Sequence, residues 1–163
     1  MGIVVVFLLV LLGLMYLGWR ARQRRQAGLA QPERVPEDIG DIHGVFDGFY
    51  VATTVAGEPL NRIAVRGLGY RSRARITVAT SGIVLAIRGE LDAFIPVSAL
   101  REVTRATWTI DRVVEKGGLI LVGWRLGATD NDTPVDSYFR LDAASELLEA
   151  LNLIFTAPTG RKA

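Results

Sequence analysis

The chain has 163 residues, half of them apolar, with 19 Lys and Arg against 17 Asp and Glu and a formal net charge of +2. With an uncharged N-terminal stretch set aside, about 120 residues remain, enough for one small domain with its own core and too few for a two-domain enzyme. The absence of Cys excludes disulfides, zinc thiolate sites, iron–sulfur clusters and cysteine nucleophiles, and His43 is the only near-neutral titrating side chain.

Residues 1–19 carry no charged side chain, and the run from Ile3 to Leu12 is apolar on every face of a helix. At 1.5 Å per residue this stretch reaches roughly 28 Å, close to the bilayer's hydrocarbon thickness of about 30 Å, which predicts a transmembrane helix over 1–19. A cleaved signal peptide carries its positive charge before the apolar core, whereas Arg20, Arg22, Arg24 and Arg25 all follow it. Basic residues beside a span stay on the cytoplasmic side, so the chain reads as a single-pass cell-membrane protein with a cytoplasmic C-terminal domain. Tyr16 and Trp19 suit the head-group layer at the boundary, and the four arginines predict contact with the anionic inner leaflet, worth about 1 kcal/mol each. Without those four, 15 basic residues face 17 acidic ones. The folded part is therefore slightly acidic and lacks the spread basicity of a nucleic-acid binder.

Residues 20–43 read as a basic juxtamembrane segment and linker. Gly28, Pro32, Pro36 and Gly40 interrupt any period, and Glu37, Asp38 and Asp41 add an acidic run. Residues 44–157 form the domain. Its β-branched and aromatic segments, punctuated by Gly, Pro and Asp, predict antiparallel strands over 46–55, 70–80, 82–88, 93–97, 103–114, 119–126 and 135–141. In the fifth, Ala106, Trp108 and Ile110 share one face. In the sixth, Ile120, Val122, Trp124 and Leu126 do so, and Glu115-Lys116-Gly117-Gly118 predicts a glycine turn that joins the two as a hairpin. The uninterrupted apolar run 82–87 predicts the most central strand. From Ala143 the period changes. Leu147, Leu148, Leu151, Ile154 and Phe155 fall on one helical face, with Asp142 as N-cap, Glu146 near the positive dipole end, and Pro158 with Gly160 as terminators. Residues 158–163 are a tail.

About seven strands closed by one C-terminal helix is the order of the pleckstrin-homology (PH) superfold, a bent antiparallel sheet pair plugged by that helix. The stretch from Phe46 to Phe155 resembles bacterial PH-like domains, including single-span membrane proteins of this size. The resemblance rests on Thr77-Val78-Ala79-Thr80-Ser81-Gly82-Ile83-Val84-Leu85, on Phe94-Ile95-Pro96-Val97 before Leu100-Arg101-Glu102-Val103, and on Ser137-Tyr138-Phe139-Arg140-Leu141. It implies membrane-proximal binding or scaffolding of proteins or lipids, usually without catalysis, and a shared fold does not settle function.

The candidate binding residues are Arg66, Arg71, Arg73 and Arg75. On a strand over 70–80, Arg71, Arg73 and Arg75 point one way while Tyr70, Ser72, Ala74, Ile76 and Val78 point the other. Arg66, Arg71 and Arg73 are similar to the basic pattern around the first hairpin of lipid-binding PH domains, although Lys is absent and the loop is glycine-rich. Guanidinium forks suit phosphate and carboxylate oxygens. On an edge strand the same arginines would merely guard the edge against pairing. The remaining features carry no chemistry. Gly67-x-Gly69 lacks a third glycine and a following helix, and Asp130, Asp132 and Asp136 fail a calcium loop because Val135 and Leu141 occupy its glycine and glutamate positions. His43 has no second His or Cys for a metal, and Ser72, Ser81, Ser98, Ser137 and Ser145 have no base. Trp108 and Trp124 read as core. No catalytic residue, metal or cofactor is expected. The sequence points to an interaction module binding a protein partner or anionic lipid at the cytoplasmic membrane surface. Two alternatives are an accessory subunit of a transport or envelope-assembly complex, and a small enzyme using Glu90 and Asp92, which lacks a cofactor motif.

Overall fold

The computed structural model describes residues 2–27, 30–63, 67–68, 70–106, 118–127 and 132–156, and within the first of these the side chains of 4–18 and Arg20. Arg66, Gly69, Trp108, Asp130, residues 107–117 of the expected fifth strand and turn, the side chains of Trp19, Arg22, Arg24 and Arg25, and the tail 158–163 lie outside those residues.

The N-terminal helix α1 runs over Gly2–Ala27. It has no polar stripe among its described apolar residues, and the large ones from Val4 to Leu17 are between 46% and 69% exposed. Among the described residues no helix is long and apolar enough to cross a membrane.

Eight strands follow: β1 (Ile42–Val55), β2 (Glu58–Arg62), β3 (Ser72–Ala79), β4 (Gly82–Ile87), β5 (Ala93–Pro96), β6 (Leu100–Ala106), β7 (Leu119–Leu126) and β8 (Thr133–Arg140). All pair antiparallel in the order β5-β4-β3-β1-β8-β7-β6, with β2 beside β1. The 14-residue β1 joins the two halves of the sheet. Its first half pairs with β3 up to Tyr50↔Ser72, and its second half pairs with β8 from Phe49↔Arg140 onward. Gly48 sits at this handover, where a Cβ would come within 2.7 Å of the Arg140 carbonyl and of Leu141 Cβ. Only a residue without a side chain lets the strands approach so closely.

Three expectations about the sheet need correction. The central strand is β1, whereas β4 lies second from an end. The apolar run of β4 reflects one core face and one half-covered face of short residues, Val84 and Ala86. The strand β2 was not expected, because Glu58–Arg62 shows no alternation and Leu60 is 79% exposed. Finally, β6 and β7 do pair, but with Ala106 opposite Leu119, where a turn over 115–118 would have set Val114.

The sheet meets the C-terminal helix α2, Ala144–Thr156, over a core that includes Ile76, Leu85, Ile120, Trp124 and Phe139. The helix starts one residue too late for Asp142 to occupy its N-cap position. Leu147, Leu151 and Ile154 are buried, and Arg105 on β6 donates to the Ser145 hydroxyl at 2.7 Å. Phe155, expected on the buried face, is 37% exposed. A polar chain crosses the core. Tyr50 Oη donates to the Leu68 carbonyl at 2.7 Å, the Thr53 and Ser137 hydroxyls lie 2.7 Å apart, and Trp124 Nε1 donates to Ser137 Oγ at 2.9 Å.

The segment before β1 is held along the sheet. Phe94 N–H donates to the Glu33 carbonyl at 2.9 Å, and Ser81 Oγ and N–H both donate to the Ile39 carbonyl. His43 is exposed and hydrogen-bonds the Thr80 hydroxyl at 3.1 Å.

Candidate functional site

The strand β3 places Arg73 and Arg75 outward and Ala74, Ile76 and Val78 into the core, as period two requires. Arg71 precedes the strand and is exposed. Tyr70, expected on the inward face, lies in a bend before the strand and is 80% exposed. Since β3 is flanked by both β4 and β1, it has no free edge for these arginines to guard.

The arginines have different partners. Arg75 is paired with Asp47 on β1, with Nε donating to one carboxylate oxygen at 2.9 Å and a terminal nitrogen to the other at 3.3 Å. The arginine hydrogen bond holds the Asp47 carboxyl below its ordinary range. The pair is solvent-exposed, so its contribution to stability is small. Arg71 and Arg73 instead lie against the Phe49 ring, with their guanidinium carbons 5.5 and 5.8 Å from its centroid. Both distances fall within the range where a cation is attracted by the ring, worth about 0.5–1 kcal/mol at an exposed site. The contacts pre-order two long side chains whose outer donors stay open to solvent. Among the described residues neither guanidinium has a carboxylate within ion-pair distance.

Register extends the cluster across the sheet. Phe49 stands opposite Arg73 on one side and Arg140 on the other. Arg88, just beyond β4, donates its backbone N–H to the Arg73 carbonyl at 2.9 Å. Directly opposed residues share a face. Arg88, Arg73, Phe49 and Arg140 therefore form one row across four neighbouring strands, all four exposed, spanning about 14 Å at ordinary strand spacing. The row lies in an open groove of about 920 Å³ that also contains Arg71, Asp47, Asp92 and Asp142. That volume is at the upper end of the roughly 300–1,000 Å³ typical of ligand sites.

Three members of this row were missed from the sequence. Arg88 and Arg140 lie far from Arg73 along the chain, and Phe49, in an alternating strand, carries no mark of an outward ring. Only strand order and register bring them together. The bacterial PH domain-like family model matches residues 29–154. The chain belongs to this family. No curated protein matches it. The PH-like match takes in the segment hydrogen-bonded to β5 and to the β3–β4 turn as well as every strand. It ends within α2.

Among the described residues no three His, Asp or Glu side chains converge as metal ligands. Glu90 and Asp92 are both exposed.

Proposed function

We propose that this chain is a membrane-anchored, non-catalytic interaction module: residues 1–19 span the membrane once, and the PH-like domain, on the cytoplasmic side, binds an anionic group of a protein or lipid through its outer sheet face. The observation that carries the binding assignment is the placement of Arg71 and Arg73 against Phe49, exposed and without a carboxylate partner among the described residues. Arginines serving only solubility need no fixed position. These two rest on one aromatic ring and are exposed, and guanidinium groups suit phosphate and carboxylate oxygens.

The anchor rests on the charge-free sequence of residues 1–19 and on the exposure of apolar side chains around α1. Apolar surface of that extent is unfavourable in water and favourable in lipid. The four arginines that follow set the orientation.

The test uses the full chain in neutral-lipid nanodiscs, challenged with poly-glutamate and, separately, with vesicles containing an anionic phospholipid. Binding to at least one probe, weakening as salt rises from 50 to 300 mM and lost in the Arg71→Ala/Arg73→Ala variant, supports the reading. A double variant that keeps all the anion binding of the parent would leave the arginines as a solvated strand face and defeat it.

A further inference from the structure

The groove holds more positive charge than its own acids compensate. Arg71, Arg73, Arg75, Arg88 and Arg140 line it against Asp47, Asp92 and Asp142. Counting on from Leu85↔Ala93 and from Phe49↔Arg140 sets Asp92 and Asp142 in the row of Arg75 and Asp47. That row lies two residues along the strands from the row of Arg88, Arg73, Phe49 and Arg140, a separation of about 6.8 Å. Among the described residues Arg71, Arg73, Arg88 and Arg140 have no carboxylate within ion-pair distance.

The matching charge lies elsewhere on the same domain. Glu37, Asp38 and Asp41 are all exposed, and among the described residues none of them has a base within ion-pair distance. The run is fixed to the β3–β4 turn. The Ile39 carbonyl accepts from the Ser81 N–H and hydroxyl, the Asp41 carbonyl accepts from the Thr80 N–H at 3.0 Å, and the Gly40 N–H donates to Asp38 Oδ1 at 2.8 Å. Thr80 follows Arg73 by seven residues along β3, about 23 Å at strand rise, so the acidic run cannot reach the groove of its own chain.

We infer that the occupant of the groove is the Glu37–Asp41 segment of a second copy of this chain, so that anchored copies associate head to tail. The inference rests on the readings of the basic face and of the anchor given above, and it names the partner. Groove and acidic run are separate parts of one domain, so the contact is heterologous: each copy offers its groove to one neighbour and its acidic run to another. Both sides are ordered beforehand, the run by its bonds to the β3–β4 turn and Arg71 and Arg73 by the Phe49 ring, which lowers the cost of binding. A segment one chain wide can follow the arginine row without covering the acidic row beside it. Exposed ion pairs are individually weak, so association is expected where α1 confines the copies to one plane and raises their effective concentration.

The sequence has no Cys, so Leu153→Cys, at a position 62% exposed, supplies a single labelling site. Donor-labelled and acceptor-labelled full-length chains are reconstituted together in neutral-lipid vesicles, and energy transfer is compared with that of random mixing at the same density. The parent should exceed the random level, and the excess should shrink as salt rises from 50 to 300 mM. Arg73→Glu/Arg140→Glu and Glu37→Lys/Asp38→Lys, each present on every copy, should reduce the excess severalfold. Mixing the two variants should restore it, because one intact groove then meets one intact acidic run. All four positions are exposed, so both variants keep the fold. Random transfer by a parent chain that still binds poly-glutamate through Arg71 and Arg73 would overturn the inference and leave the anion-binding face in place. An excess that neither variant changes, or that the mixture does not restore, would overturn it as well. Random transfer together with no binding of poly-glutamate or anionic vesicles would remove both the inference and the reading on which it rests.

Discussion

Truncation of the closing helix distinguishes the structure from the sequence pattern alone. Leu151 and Phe155 fall on one apolar stripe of α2, so periodicity gives them equal weight. In the folded chain Leu151 is 0% exposed and Phe155 is 37% exposed. Leu151 belongs to the core, and α2 touches β1, β3, β6 and β7. Walls built from four hydrogen-bonded strands cannot relax far into a void. The loss on Leu151→Ala should therefore lie in the upper part of the usual range, about 3–5 kcal/mol. Phe155→Ala removes a ring that is already partly wet and leaves no enclosed cavity, so about 1–1.5 kcal/mol is expected. Leu153→Ala, at a residue 62% exposed, should cost well under about 0.5 kcal/mol. For a domain of this size those values become melting-point decreases of about 10–20 °C, about 3–6 °C and less than about 2 °C. Thermal melts of the full chain in neutral-lipid nanodiscs, followed by tryptophan fluorescence, give the ranking directly. Equal decreases for Leu151→Ala and Phe155→Ala would refute the docking of α2 described above.

Ser137→Ala should destabilise the domain by about 1–3 kcal/mol, because it leaves Trp124 Nε1 and the Thr53 hydroxyl buried with one partner fewer; chemical denaturation monitored by Trp fluorescence measures it. Burial pushes the Tyr50 hydroxyl well above its ordinary value of 10.0. The unfolded chain therefore releases this proton first as pH rises. Stability from this group is complete below about pH 10 and falls above it, and Tyr50→Phe should abolish that part of the alkaline loss in denaturation midpoints measured from pH 9 to 11.5. For the anchor, an alkaline phosphatase fused after Ala163 should be inactive, and changing Arg20, Arg22, Arg24 and Arg25 to Gln should mix the orientations. An active enzyme on the parent fusion would reverse the topology.

Local regularities were enough to reveal much of the domain. The alternation of Ile120, Val122, Trp124 and Leu126 gives the buried face of β7, all four residues being 2% exposed or less. The change of period after Asp142 gives α2, and the outward set Arg73 and Arg75 follows from period two along β3. These features depend on neighbours within one element, where the geometry of a helix or strand fixes which side chains share a face. Strand order and register do not follow from such neighbours. The register of β6 against β7, with Ala106 opposite Leu119, is set by packing across the whole sheet and does not follow from a turn signal alone. For the same reason the site was half legible. The sequence marks Arg71, Arg73 and Arg75 as a basic strand face, but β1 carries Asp47 to neutralise one of them and Phe49 to hold the other two. Strand pairing then adds Arg88 and Arg140 from distant parts of the chain. Charge type and spacing are written in the sequence. Which charges are neutralised and which remain to meet a ligand is decided by residues brought alongside through long-range strand pairing.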